Sequence, residues 1–228
     1  NSGIKQGMGA GYLWDCLPMG FVSEGIKLSE DDYTSVCFSS GGSPAMPKTS
    51  ITDPIWVSEI DHPDQPGKIG VCICPGKKSP SVFGGIWDRD LALDLTAIKR
   101  DFDPTAIVTL MTDDELSVNK VPNLGHAVLD SGMEWFHLPI QDMAAPDESF
   151  DDIWTEMLPR ILQMIKRGDN VLVHCRGGLG RSGTIAALLL IEFGVPNDQA
   201  IIKVRHARPG AIDIAEQEEY VRRYVALG

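Results

Sequence analysis

From Ile69 onward the chain alternates short apolar runs with longer amphipathic ones. That rhythm predicts strands over 69–74, 106–110 and 135–140, with helices over 88–100 and 122–130 between them. A longer helix over 146–167 sets Phe150, Ile153, Trp154, Met157, Leu158 and Ile161 on one side. It opens with acidic residues, closes on Lys166-Arg167-Gly168, and is expected to kink at Pro159. The strand over 171–173 is apolar on both faces, as a central strand is, and Ile185-Ala186-Ala187-Leu188-Leu189-Leu190-Ile191 reads as the helix that follows it. Strand and helix in alternation imply an α/β fold whose central, mostly parallel sheet is flanked by helices on both faces. Before residue 50 the pattern lapses into Gly and Ser, with Ser39-Ser40-Gly41-Gly42-Ser43-Pro44 as a flexible stretch. Residues 1–50 are therefore expected to be a partly flexible extension, its Trp14, Leu17, Phe21 and Val22 available to dock, and 51–228 the main domain.

Composition narrows the partners. In 228 residues, 43% hydrophobic and 23% charged, there is apolar material for a substantial core. A net charge of −12 argues against general affinity for nucleic acid or an anionic membrane, so any attraction for phosphate must be local. No run reaches the length of a membrane span, and the N-terminal residues lack the basic-then-apolar order of a secretory signal. Met8-Gly9 is followed by Leu13 where a myristoylation signal wants Ser or Thr. Cys16, Cys37, Cys72, Cys74 and Cys175 are an odd, scattered set that suits a reducing, cytoplasmic compartment better than a disulfide framework. Cys72 and Cys74 fall on one face of a strand. Without a second pair or a nearby His they make a poor zinc site, and they read as core, with a redox partnership to Cys175 as the alternative.

The chemistry concentrates in His174-Cys175-Arg176-Gly177-Gly178-Leu179-Gly180-Arg181-Ser182-Gly183-Thr184, between the central strand and the apolar helix. A thiolate is a strong nucleophile only where its charge is stabilised, and a helix N-terminus with free N–H groups both stabilises it and cradles a phosphate. Gly177, Gly178 and Gly180 are expected to take backbone angles closed to other residues, so that successive N–H groups converge on one anion above Cys175. Arg181 can curl across the mouth and offer its planar fork to two phosphate oxygens. Ser182 can donate to the Cys175 sulfur when a covalent intermediate breaks down.

Cys-x5-Arg-Ser with a preceding His resembles the signature of the cysteine-dependent protein tyrosine and dual-specificity phosphatases, and the Cys-x-Gly-Gly-Leu-Gly-Arg-Ser form is similar to the kinase-associated-phosphatase-like subgroup. Val121-Pro122-Asn123-Leu124, Pro139-Ile140-Gln141-Asp142 with Pro146-Asp147, and Ala211-Ile212 ahead of Gln217 extend the likeness from about Asp53 to the end. The resemblance implies a protein tyrosine phosphatase-like fold over 51–228. It implies hydrolysis of phosphoprotein at phosphotyrosine and at phosphoserine or phosphothreonine, through a cysteinyl-phosphate. It makes Cys175 the nucleophile, Arg176 to Arg181 the phosphate cradle, and Asp142 the acid that protonates the leaving group, with Asp147 in reserve because it also reads as a helix cap. It lets His174 shape Cys175 and gives Gln217 the attacking water, although an ordinary helix residue fits Gln217 equally. Arg208 braces the loop or simply ends a helix. No cofactor or metal is called for, since protein groups supply nucleophile, oxyanion donors and acid. A phosphoinositide or small phosphomonoester phosphatase, a phosphoprotein-binding module with weak catalysis, and a rhodanese-like sulfur carrier are the competing readings. Trp87, Trp135 and Trp154 are expected in the core, His62, His126, His137 and His206 as packed or solvated side chains, and Pro75-Gly76-Lys77-Lys78-Ser79-Pro80 as a solvated basic loop, with bordering the pocket as its alternative.

Overall fold

The structure is a computed structural model, and it describes residues 46–62, 64–80 and 85–228. The glycine-serine stretch, the docking residues ahead of it, Cys16, Cys37 and the Met8-Gly9 pair lie outside the described residues. Five strands form the main sheet: β1 (Ser58–Ile60), β2 (Ile69–Cys72), β5 (Pro104–Thr109), β6 (Glu134–His137) and β7 (Asn170–His174). Their order is β1-β2-β7-β5-β6. Only β1 runs antiparallel to its neighbour; β2, β7, β5 and β6 are mutually parallel. A two-stranded hairpin, β3 (Lys78–Pro80) and β4 (Ile86–Asp88), stands apart from the sheet. Lys48 forms a bridge with Trp87 of this hairpin, its N–H donating to Ile86 O at 2.8 Å and its carbonyl accepting from Asp88 N at 3.0 Å.

Seven helices accompany the strands among the described residues: α1 (Leu91–Asp101), α2 (Asp113–Val118), α3 (Leu124–Asp130), α4 (Glu148–Arg167), α5 (Gly180–Glu192), α6 (Asn197–Ala207) and α7 (Ala215–Arg223). The period of two along β7 divides them. Val171 and Val173 join the core formed with α4, α5, α6 and α7, and Leu172 joins the opposite core with Leu95, Ile98, Leu116, Leu124 and Val128 of α1 to α3. Each fully buried aliphatic side chain of this kind contributes roughly 1.5–3 kcal/mol. Helix α5 runs through the middle of the first core and is buried from Gly180 to Ile191, which is why its sequence is apolar all round and not striped.

The predicted elements are present with shifted ends. The strand expected to run to residue 74 stops at Cys72, and the expected start of the first helix is instead β4, with α1 beginning after its Asp90 cap. Helix α4 is continuous through Pro159, starts on an Asp147 cap that accepts from Phe150 N at 3.0 Å, and closes on Gly168 in the left-handed region. Strands β1 and β3 and helix α2 have no counterpart in the apolar rhythm, being three, three and six residues long.

Candidate active site

Strand β7 ends at His174, and Cys175 stands just beyond it at the C-terminal edge of the parallel sheet, where open α/β sheets place ligands. Its side chain lines a cavity of about 700 Å³ whose wall also carries Lys77, Trp87, Asp142, Arg176, Arg181, Arg208, Asp213 and Gln217. The thiol is almost wholly buried, and Cys175 Sγ lies 3.4 Å from Ser182 Oγ.

The loop from Arg176 to Leu179 has its carbonyls taken on the outside. Arg176 O accepts from Lys77 Nζ at 3.0 Å and from Cys74 N at 3.4 Å. Gly178 O and Gly177 O accept from Arg208 at 2.9 and 3.4 Å, and Leu179 O from Gly183 N and Ile212 N. Turning the carbonyls outward aims the N–H groups of the same peptides toward the cavity, and the start of α5 continues the series. The three loop glycines serve different ends. Gly178 alone has a positive φ, +65°, and a Cβ there would also lie 2.4 Å from Cys72 O. Gly180 is needed for space, since its Cβ would meet Asp213 Oδ1 at 2.1 Å and Gln217 Oε1 at 2.7 Å. Gly177 has open space around it. The expectation of forbidden angles at all three is thus corrected to one.

Arg181 is 3% exposed and held from several sides. Its Nη1 donates to Glu115 Oε2 at 2.7 Å and to Ile140 O at 2.8 Å; its Nη2 donates to Glu115 Oε1 at 2.8 Å and to Asp142 Oδ1 at 2.9 Å. Glu115 thus grips the guanidinium in bidentate fashion. Burial pushes the Glu115 carboxyl up, but the Arg181 hydrogen bonds and charge, with donors from Thr112, outweigh it and hold the group below the usual carboxylate range. Asp142 follows β6 on an exposed turn whose next residue, Met143, adopts a φ of 56° and donates its N–H to Asp142 Oδ1. Arg176 adds a looser contact to Asp142 at 3.7 Å.

His174 is fully buried, its Nε2 2.8 Å from Thr109 Oγ1, which also accepts from Trp135 Nε1. Burial pushes its imidazole down to about 4, so the ring is neutral at physiological pH. Its Nδ1 faces Cys175 O at 3.5 Å, placing it behind the loop. Cys72 and Cys74 are buried in the same core, as their spacing implied, and burial drives both thiols upward, Cys74 to about 12. Gln217 is 1% exposed and donates Nε2 to Ala144 O at 2.9 Å, which excludes its reading as an ordinary solvated helix residue.

Two residues of the site escaped the reading of the sequence. Glu115 is one, although Thr112-Asp113-Asp114-Glu115 is a capping-box pattern, and both reciprocal cap bonds are present. For the basic turn the alternative expectation, bordering the pocket, is what the structure shows: it is buried from Pro75 to Lys77, and Lys77 and Pro80 line the cavity. The Lys77 ammonium sits 4.8 Å above the Trp87 ring, and burial pushes its pKa down to about 8. The turn is anchored by Asp94, which accepts from Gly76 N at 2.8 Å and forms a fully buried pair with Arg89. Trp87, expected in the core, is a wall of the cavity. The second that escaped is Asp213, beside Gly180.

A parallel α/β sheet carrying a cysteine and an arginine on one anion-cradling loop defines a phosphatase of the dual-specificity and protein tyrosine phosphatase class. Residues 99–221 match the family model described as PTP-SAK: Swiss Army Knife protein, DSP-PTPase phosphatase domain, and the chain belongs to that family. It is 32% identical over 159 residues to cyclin-dependent kinase inhibitor 3 of Rattus norvegicus, covering 68% of this chain and 71% of that one. It is 30% identical over 118 residues to protein tyrosine phosphatase type IVA 2 of Mus musculus, covering 52% of this chain and 66% of the relative. Among solved structures it resembles kinase associated phosphatase with its catalytic-site cysteine replaced by serine, at a TM-score of 0.65 and 30% identity over 74% of this chain and 92% of the other. It also resembles Tk-PTP in the active form, at a TM-score of 0.54 and 28% identity over 72% of this chain and 100% of that one. The protein is an enzyme, a cysteine-dependent protein phosphatase. Among the described residues no helix is long and apolar enough to cross a membrane.

Proposed function

We propose that this chain hydrolyses phosphomonoesters on phosphorylated protein, at phosphotyrosine and at phosphoserine or phosphothreonine, through a cysteinyl-phosphate on Cys175. The observation that carries the proposal is the convergence, at one cavity, of Cys175 beneath inward-facing N–H groups, Arg181 pinned by Glu115, and Asp142 resting on Arg181. A phosphate above Cys175 would be held by the N–H groups of Arg176 to Arg181, with the Arg176 side chain at the rim. Arg181 has five N–H donors; four face Glu115, Ile140, Leu110 and Asp142, and Nε–H remains for phosphate. Bidentate capture therefore requires the incoming dianion to take Nη2 from Asp142. That exchange releases the Asp142 carboxylate from the guanidinium, and beside the incoming phosphate dianion it takes up from solvent the proton that a departing alkoxide or phenoxide needs.

Cys175 Sγ then attacks phosphorus, the ester oxygen leaves with the Asp142 proton, and Ser182 Oγ–H, at 3.4 Å, stabilises the sulfur when water later displaces it. His174 supports the loop from behind, and Gln217 faces the cavity from α7. The similarity to a cyclin-dependent kinase inhibitor and to a protein tyrosine phosphatase supports a phosphoprotein substrate. We assign catalysis to 51–228 and regard 1–50 as an extension of it. The unpaired buried thiols suit a reducing, cytoplasmic setting.

A second reading, an inositide phosphatase, draws on the cations Lys77, Arg176 and Arg208 around the cavity. The test compares Asp142→Asn with wild type on p-nitrophenyl phosphate, phosphotyrosine and phosphothreonine peptides, and a soluble inositide. The expected loss is on the order of 100-fold or more on the peptides and far less on the activated aryl ester. Equal losses on all substrates would remove Asp142 as the acid, and a dominant inositide activity would overturn the protein substrate.

A further inference from the structure

We infer that Trp56 is a platform for substrate: an apolar side chain flanking the phosphoresidue of a phosphorylated protein packs on its indole while the phosphate occupies the loop above Cys175. The inference rests on the phosphoprotein reading above and narrows it to phosphoproteins with an apolar residue near the phosphorylated one.

Trp56 is 74% exposed, whereas Trp154 is 1% exposed and Trp87 and Trp135 are half-buried. A lone exposed apolar side chain is ordinary in a folded protein. What sets Trp56 apart is its place, on the wall of the same cavity that contains Cys175. Whatever chain delivers a phosphate to the loop lies along that wall, and tryptophan is the residue type most enriched where binding energy concentrates.

The indole is also held in position before any substrate arrives. Trp56 precedes β1 by two residues and stands between Ile55 and Val57, which pack with the core under α1 to α3. That alternation turns the neighbours inward and the indole outward. Just upstream, Asp53 O accepts from Arg89 Nη1 at 2.6 Å. Arg89 is paired with the buried Asp94, whose carboxylate also holds Gly76 N of the Lys77 turn. One buried ion pair therefore fixes both the segment that carries Trp56 and the turn that carries Lys77. A platform ordered in advance loses little entropy on binding.

The chemistry of the wall changes along its length. At one end are the cations of the phosphate loop and its brace, Arg176, Arg181 and Arg208; at the other, Pro54, Trp56 and Pro80 offer apolar surface. In a chain of net charge −12 this cluster of cations is local. Between the two ends Lys48, Lys77 and Arg89 stand 5.1, 4.8 and 5.6 Å from the Trp87 ring, and their summed charge opposes a basic substrate side chain there despite the Asp53 carboxylate. An acidic side chain is drawn toward the cradle and competes with the phosphate. An apolar one is left to cover the indole. A soluble inositide carries only hydroxyl and phosphate groups and leaves Trp56 bare.

The test uses phosphotyrosine peptides in which leucine replaces serine at each flanking position in turn, assayed with wild type and Trp56→Ala. The exposed indole makes Trp56→Ala expected to fold with an unchanged melting temperature. In wild type, leucine at one or more positions should raise kcat/KM by about 10-fold, chiefly through KM. Trp56→Ala should abolish that preference, Trp56→Phe should restore most of it, and p-nitrophenyl phosphate, which has no flanking residue, should be turned over by all three alike. No leucine preference in wild type, or a preference that survives in Trp56→Ala, would overturn the inference. So would a stronger preference for arginine at the same position, or a Trp56→Ala variant that hydrolyses every peptide faster than wild type. Binding of Cys175→Ser to vesicles containing phosphoinositide that disappears with Trp56→Ala, while peptide kinetics stay unchanged, would assign the indole to a lipid surface instead. Hydrolysis of p-nitrophenyl phosphate with no hydrolysis of any peptide would overturn the phosphoprotein reading itself, a result distinct from peptides hydrolysed without preference.

Discussion

Removing Glu115 isolates one link in the site, because the residue grips Arg181 without lining the cavity that contains Cys175. Its carboxylate makes hydrogen bonds of 2.7 and 2.8 Å to a guanidinium that is 3% exposed, and its own side chain is 18% exposed. In Glu115→Ala the charge on Arg181 stays buried with only Asp142 and backbone carbonyls to answer it. Breaking a buried pair from one side costs about 3–5 kcal/mol. The retained donation to Ile140 O and the partly exposed position of Glu115 put the expected loss near the lower end, about 3 kcal/mol, with about 1 kcal/mol of it from the lost capping box on α2. Glu115→Gln keeps one acceptor and the shape and should lose about half as much.

The catalytic consequence is separate from the stability loss. An Arg181 freed from its bidentate clamp no longer presents Nε and Nη2 in a fixed plane, so kcat/KM for p-nitrophenyl phosphate should fall by about 10- to 100-fold at temperatures where the variant is fully folded. Urea unfolding gives the first quantity and steady-state kinetics the second. If Glu115→Ala unfolds within about 1 kcal/mol of wild type and keeps its kcat/KM, the clamp is not what positions Arg181.

The buried cations and imidazoles supply two further tests. Because burial lowers the His174 pKa from 6.5 to about 4, the unfolded chain binds a proton in that window that the folded one refuses. The associated stability is complete above pH 6.5 and is lost as the pH falls toward 4, by about 3 kcal/mol for this group alone. Wild type should therefore lose that much more stability than His174→Gln between pH 7 and 4; His62, lowered by the same cause, titrates in both proteins, and parallel pH profiles would refute the assignment. Asp94→Ala leaves the Arg89 charge buried and drops the Gly76 N–H that anchors the Lys77 turn, so a loss of about 3–5 kcal/mol in chemical denaturation is expected; less than about 1 kcal/mol would mean that the turn is held by other contacts.

Much of this architecture is readable from the order of residues because its parts are local. Val171-Leu172-Val173 is apolar at every position since the strand is covered on both faces, and the loop and α5 follow in one continuous run, so strand, cradle and helix are legible together. Asp147 is legible as a cap for the same reason: its partner is Phe150 N, three residues on. What escaped is long-range or short in extent. Glu115 meets Arg181 across 66 residues of sequence, on a helix of six residues that is too brief to display a 3.6-residue period. Lys77 reads as solvated first and as bordering the pocket only second, because the partner that draws it in, Arg176 O, lies 99 residues away. Asp213 depends on a left-handed isoleucine, a conformation that residue type argues against. Gly177, Gly178 and Gly180 look alike in sequence and differ only in what the chain packs against them.

The account turns on a covalent bond between sulfur and phosphorus, and the most direct measurement looks for it. The enzyme is incubated with p-nitrophenyl phosphate or a phosphotyrosine peptide, quenched in acid within milliseconds, digested, and its peptides weighed by mass spectrometry. The prediction is a phosphate mass on the peptide containing Cys175, absent from Cys175→Ser, which has no turnover. Turnover that persists in Cys175→Ser, or phosphate found on another residue while the Cys175 peptide stays unmodified, would contradict it.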